Sequence, residues 1–77
     1  MKKIEQLFGE AVRRKRLGLG MSQEDFADKA GIHRTYVSSI ELGKVQVSIR
    51  IATQLAGALG VPLSEIWRDI DREQGGV

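Results

Sequence analysis

The chain has 77 residues, no cysteine, a formal net charge of +2 and 42% apolar side chains, with only two Phe, one Tyr and one Trp. This describes one small domain with an aliphatic core, marginal unless it packs well or associates. It excludes a disulfide framework, a thiolate metal site and a thiol nucleophile, while a charged N-terminus and no long apolar run point away from secretion or a membrane span and towards the cytoplasm.

A first helix is predicted at about 3–17, where Ile4, Leu7, Phe8, Ala11 and Val12 recur at helical spacing until Gly18 and Gly20. A second is predicted at about 22–30, N-capped by Ser22 with Asp25 completing a variant capping box. Gly31 can take the left-handed conformation that ends a helix and starts a sharp turn. Ile32 plugs that turn, and Ala27 is small where two helices must cross closely. The third helix, about 34–42, closes at Gly43. After a loop from Lys44 to Val47, Ser48 N-caps a fourth at about 49–59, with Ile51, Leu55, Ala58 and Leu59 inward and Gly60 at its end. Pro62 suits the start of a last helix at about 63–71, and Glu73 to Val77 read as a frayed tail. The expectation is an all-α bundle of five helices in a single domain.

Charge is unevenly placed. Residues 1–17 carry net +4 and residues 34–50 net +2, whereas residues 22–31 and 65–73 each carry net −2. The C-terminal end is thus poorly suited to touch a polyanion. Arg13-Arg14-Lys15-Arg16 resembles a basic patch, but consecutive residues point different ways around a helix and cations at a helix C-terminus are favourable anyway, so one or two at most should lie near DNA. Arg16 continues the stripe of Phe8 and Val12, and Glu41 follows Val37 at the same spacing. Either charge alone would be costly to bury, so the two should pair.

Residues 22–43 meet the requirements of a DNA-binding helix-turn-helix. Val37 and Ile40 turn one face of the third helix inward, leaving Arg34, Thr35, Ser38 and Ser39 outside as candidate base contacts. Arg34 can fork onto guanine, and Thr35 can donate to a base or lay its methyl on thymine. Ser22 and Gln23, at the start of the second helix, are candidate phosphate contacts, joined by Lys44. Tyr36 could reach a phosphate with its hydroxyl or cover the helix junction with its ring; the phosphate contact is preferred. His33 is read as the N-cap of the third helix. Without cysteines or nearby acids it implies no metal, and no cofactor or small-molecule ligand is expected. Gly57 and Gly60 lie within and after a helix with no preceding strand, so they form no phosphate loop. On the last helix, Leu63, Ile66, Trp67 and Ile70 form a stripe too long for so small a core. Leu63 and Ile66 should pack inside, leaving Trp67 and Ile70, bordered by Ile66, for a partner subunit in a dimerisation helix at about 62–71.

These residues resemble the phage-repressor/Cro-like, or XRE, helix-turn-helix family over about residues 5–70, which implies a compact lambda-repressor-like fold. The resemblance rests on Gln23, the Ala27/Gly31/Val37/Ile40 framework, Arg16 with Glu41, and Leu55-Ala56 followed by Ala58-Leu59-Gly60-Val61. Within that family, residues 33–41 followed by Val47-Ser48-Ile49 look most like controller proteins of restriction–modification systems. The chain departs from that pattern at Leu42-Gly43-Lys44-Val45-Gln46, where an arginine- and asparagine-bearing loop is more usual. The resemblance implies a homodimer that regulates its own operon on a near-palindromic operator. Double-stranded DNA, a second copy and RNA polymerase are the partners expected. With no room for a ligand-sensing domain, control would come through concentration and dimerisation. The alternative of another class is an antitoxin that binds a toxin protein and autoregulates; a protein adaptor keeping the motif as scaffold fits the outward Arg34 and Thr35 less well. An enzyme is excluded by the lack of paired carboxylates, triad elements or a metal cluster.

Overall fold

The computed structural model describes residues 2–74. These form α1 (Ile4–Gly18), α2 (Gln23–Ala30), α3 (Arg34–Glu41), α4 (Ile49–Leu59) and α5 (Leu63–Glu73), with no strand among the described residues. Each boundary lies within two residues of its sequence-based position. The largest shift is at α5, which continues through Glu73; Gly75 to Val77 lie outside the described residues.

Local chemistry sets the ends. Gln6 Oε1 accepts the Lys3 N–H at 3.1 Å before α1, and Ser48 Oγ accepts the Ile51 N–H at 3.1 Å before α4. Ser22 Oγ accepts the Asp25 N–H at 3.0 Å. Only this serine half of the expected capping box is made, Asp25 being a methylene shorter than the usual glutamate.

One core binds the helices. Leu7, Phe8, Ala11 and Val12 of α1 meet Phe26 of α2, Val37 and Ile40 of α3, Leu55 and Leu59 of α4, and Ile66 and Ile70 of α5. Two inward faces differ from the periodicity reading. On α4 the buried set is Ala52, Leu55, Ala56 and Leu59, with Ile51 and Ala58 only half-buried; on α1, Ile4 is exposed. The larger correction concerns α5. Ile66 and Ile70 are 0% and 1% exposed, so neither is available to a partner, while Trp67 stays 41% exposed. Ile66 and Ile70 are a helical turn apart and face α1 and α4, so α5 closes the monomer's core and leaves Trp67 at its rim.

An electrostatic strap completes that closure. Lys15 Nζ lies 2.8 Å from Glu65 Oε2 and 3.0 Å from Asp69 Oδ2, and Arg14 lies 3.8 Å from Glu73. The bond to Glu65 is the chief reason the Lys15 ammonium is held above its usual pKa, against the opposing pull of burial.

Where α1 meets α3 the backbones touch. A Cβ on Gly9 would collide with the Ile40 carbonyl oxygen and stand 2.8 Å from that of Glu41. Gly9→Ala should therefore destabilise by roughly 1–3 kcal/mol or more, because neither backbone can give way cheaply. Gly57→Ala, mid-helix with nothing within 4 Å of the added carbon, should stabilise by about 0.5–1 kcal/mol. Urea unfolding of both variants checks the contrast; equal midpoints would mean α1 and α3 do not approach so closely.

Candidate nucleic-acid interface

The turn between α2 and α3 is built on Gly31, whose φ of 74° is the left-handed conformation that most side chains avoid. The chain then reverses, with Ile32 N–H bonded to Ala27 O at 3.1 Å and Ile32 packed against the core. From α4, Gln54 Nε2 donates to Ala30 O at 2.9 Å and satisfies a carbonyl at the end of α2. His33 caps α3 by accepting the Thr35 N–H on Nδ1 at 3.1 Å.

Val37 and Ile40, each 1% exposed, anchor the inner face of α3. Arg34 and Thr35 stand exposed in its first turn, and Ser38 and Ser39 are half-buried one turn further on. These four share the outer side of one helix, with the exposed Leu42 continuing it at the C-cap. Lys44 is exposed just beyond. Tyr36 is different: its ring is half-buried and packed against the core, so it covers the helix junction.

Arg16 and Glu41 form a two-pronged ion pair, Nε to Oε2 at 2.7 Å and Nη2 to Oε1 at 3.0 Å, with side chains 8% and 2% exposed. Arg16 Nη1 also donates to Met21 O at 2.8 Å. The bonds to Glu41 hold the guanidinium yet more firmly protonated than usual, outweighing desolvation. Gln23 joins this network, its Nε2 donating to Glu41 Oε1 at 3.0 Å. This commits one of the two amide hydrogens of Gln23, the candidate phosphate contact, to an internal bond. A buried carboxylate needs its lone pairs occupied, and Gln23 supplies a third donor from α2. Ser22 likewise has its oxygen engaged at the cap.

The basic run is largely consumed inside the molecule. Arg16 is on Glu41, Lys15 on α5, and Arg14 close to Glu73, which leaves Arg13 as its outward member. Sequence reasoning did not foresee the Gln23–Glu41 and Gln54–Ala30 bonds, since a glutamine at a helix start or in mid-helix gives no sign of which neighbour it will meet. Nor did it foresee the contact between His33 Nδ1 and Thr35 Oγ1 at 2.8 Å, although their two-residue spacing across a cap was a usable signal. Among the described residues no His, Cys, Asp or Glu group is arranged to hold a metal, and no helix is long and apolar enough to cross a membrane.

A family model described as helix-turn-helix matches residues 12–66. The chain belongs to this helix-turn-helix family. Its relatives include the control protein C.MunI of a Mycoplasma species, 39% identical over 95% of this chain and 100% of that protein. The control protein C.BamHI of Bacillus amyloliquefaciens is 46% identical over 75% of this chain and 73% of its own length. Among solved structures, the restriction-modification controller protein C.Esp1396I, as a tetramer in complex with its natural 35 base-pair operator, superposes with a TM-score of 0.87. It is 26% identical and covers 95% of this chain and 96% of that one. The helix-turn-helix family is one of DNA-binding regulators rather than enzymes, and that class holds for this chain.

In this helix-turn-helix protein the ion pair carries a testable load. Removing one partner strands the other charge out of water, so Glu41→Ala should destabilise by on the order of 3–5 kcal/mol, with Arg16→Met also clearly below wild type in thermal melts. Two unchanged melts would mean that solvent reaches both charges.

Proposed function

We propose that this protein is a homodimeric regulator that inserts α3 into the major groove of a near-palindromic operator and governs a restriction–modification operon. The observation that carries the reading is the outer face of α3, where Arg34, Thr35, Ser38 and Ser39 are presented by a helix whose opposite face is fully packed. An arginine fork suits guanine O6 and N7, and the smaller hydroxyls suit neighbouring base edges. Lys44 and the second amide hydrogen of Gln23 supply phosphate contacts at either end of the motif, with Ser22 and Tyr36 contributing at most through groups left over from their structural bonds. The control-protein relatives support the operon assignment, and no observation favours the antitoxin alternative. The site of action is the cytoplasm, where promoter occupancy sets the dimer beside RNA polymerase.

The dimer surface is smaller than the α5 stripe suggested and differently composed. Trp67 stacks obliquely on Phe8, ring centroids 5.8 Å apart, beside a groove lined by Ile4, Val47 and Ala52. Ile4 is itself 44% exposed, and Ile49, two residues past Val47, is 83% exposed. An exposed isoleucine beside an aromatic-lined groove is what a self-complementary two-fold contact requires. Such a dimer would set two copies of α3 about one helical turn, roughly 34 Å, apart.

Two measurements test the reading. Arg34→Ala should lose roughly 1–3 kcal/mol on a site selected from random duplexes and relax the preference at one guanine, while Lys44→Ala weakens specific and random DNA about equally. If Arg34→Ala binds both as wild type does, α3 is not the reader. In sedimentation, wild type should be dimeric at tens of micromolar and Trp67→Ala monomeric yet folded, with weaker operator binding because each half-site binds alone. A variant that stays dimeric would move the interface away from Trp67.

A further inference from the structure

The cap of α3 is tied to its reading face. His33 Nδ1 accepts the backbone N–H of Thr35. A ring nitrogen that accepts carries no proton, so the neutral imidazole keeps its hydrogen on Nε2. The Thr35 hydroxyl oxygen stands 2.8 Å from that same Nδ1. With no hydrogen on the nitrogen, the hydroxyl must be the donor of this pair. The backbone N–H and the hydroxyl then share the single lone pair of that nitrogen. A threonine has a single O–H hydrogen. Here it is turned back into the cap, so Thr35 presents only lone pairs and a methyl group to whatever lies in front of α3.

We propose that His33 is a positioning residue that fixes the hydrogen-bond polarity of Thr35, making it an acceptor for an exocyclic amine in the major groove. The amines displayed there are N6 of adenine and N4 of cytosine, whereas guanine O6 and N7 and thymine O4 are acceptors that such a threonine cannot satisfy. The inference rests on the reading of α3 as the recognition helix and adds to it which half of the base-edge code Thr35 reads. A serine or aspartate cap would serve the backbone N–H as well. An imidazole acceptor reaching both the N–H and the hydroxyl couples capping to specificity.

The test uses a duplex selected by wild type from a random pool. The base pair read by Thr35 is the one at which Thr35→Val relaxes the preference. At that pair the amine is removed by purine in place of adenine or 2-pyrimidinone in place of cytosine. In a separate duplex the keto oxygen is removed, by 2-aminopurine for guanine or 5-methyl-2-pyrimidinone for thymine. Loss of the amine should weaken wild type about five- to tenfold, the net worth of one neutral hydrogen bond, and leave Thr35→Val unchanged. Loss of the keto oxygen should weaken wild type by less than about twofold. His33→Ala, whose freed hydroxyl can donate as well as accept, should lose most of the wild-type preference for a pair that presents an amine to Thr35 over the exchanged pair that presents a keto oxygen. His33→Asn, whose amide oxygen can accept both donors, should regain it, which a merely structural cap would not do. Nitrogen-15 shifts of the neutral imidazole in the free protein should place its proton on Nε2. Wild type indifferent to the amine, or dependent on the keto oxygen, overturns the proposal, as does an imidazole protonated on Nδ1. A Thr35→Val variant with unchanged preferences beside a relaxed Arg34→Ala overturns it too, whereas both variants binding as wild type would overturn the reading of α3 itself.

Discussion

The buried carboxylate of Glu41 is the constraint around which the motif is arranged. With its side chain 2% exposed, it can stay ionised only if donors replace water on its oxygens, and three do: two from Arg16 on α1 and one from Gln23 on α2. Arg16 in turn closes on Met21 O, in the link between those helices. Hydrogen bonds to charged groups are strong and directional, so the network specifies angles as well as contacts. The same end of α3 is pressed against α1 at Gly9, where there is room for backbone and nothing else. α3 is thus clamped by its C-terminal turn. Its N-terminal turn, with Arg34 and Thr35, is left projecting, fixed in direction by a clamp that uses none of the outward side chains.

The same accounting explains where the positive charge goes. The N-terminal segment is strongly basic, yet most of its cations answer internal acids: Arg16 the carboxylate of α3, Lys15 and Arg14 those of α5, and Lys2 that of Glu10 on α1 itself. The acidic C-terminal segment is therefore a counter-surface for α1. It presses Ile66 and Ile70 into the core and gives a 77-residue chain enough burial to stand as one domain. A charge tally by segment finds the asymmetry but cannot tell a strap from a docking patch, because that depends on which helices lie side by side.

That distinction marks how far the sequence could be read. Five helices and their ends were legible because each is written locally, in Ser22, Gly31, Ser48 and Gly60 and in apolar residues three and four apart. The pairing of Arg16 with Glu41 was legible because two charges on inward faces leave few alternatives. The fate of Ile70 was not legible: a stripe says that a face is buried, and only the packing of α5 on α1 and α4 says by what. The internal contacts of Gln23 and Tyr36 were not legible for a related reason. Both lie in the motif with polar groups that read as outward, and both reach internal partners, Glu41 for one and the core for the other. The close approach at Gly9 had no sequence signal at all beyond a glycine in mid-helix.

These internal commitments bear on how the protein can bind. With Lys15, Arg16 and one amide hydrogen of Gln23 committed inside the molecule, fewer basic groups are left for phosphates than the charge tally suggests, although Arg13, Arg34, Lys44 and Arg50 stand exposed. On the proposed function, affinity draws on two further sources. One is base-edge contact, which needs a rigid, pre-set donor and acceptor pattern; the clamp on Glu41 and the cap at His33 provide it. The other is the linkage of two reading heads, which turns the second half-site into an intramolecular contact without adding charge. A regulator so built discriminates through geometry more than through general attraction to nucleic acid. On the proposed dimer, its occupancy of DNA depends on the concentration at which the surface around the exposed Trp67 and Ile49 meets a second copy.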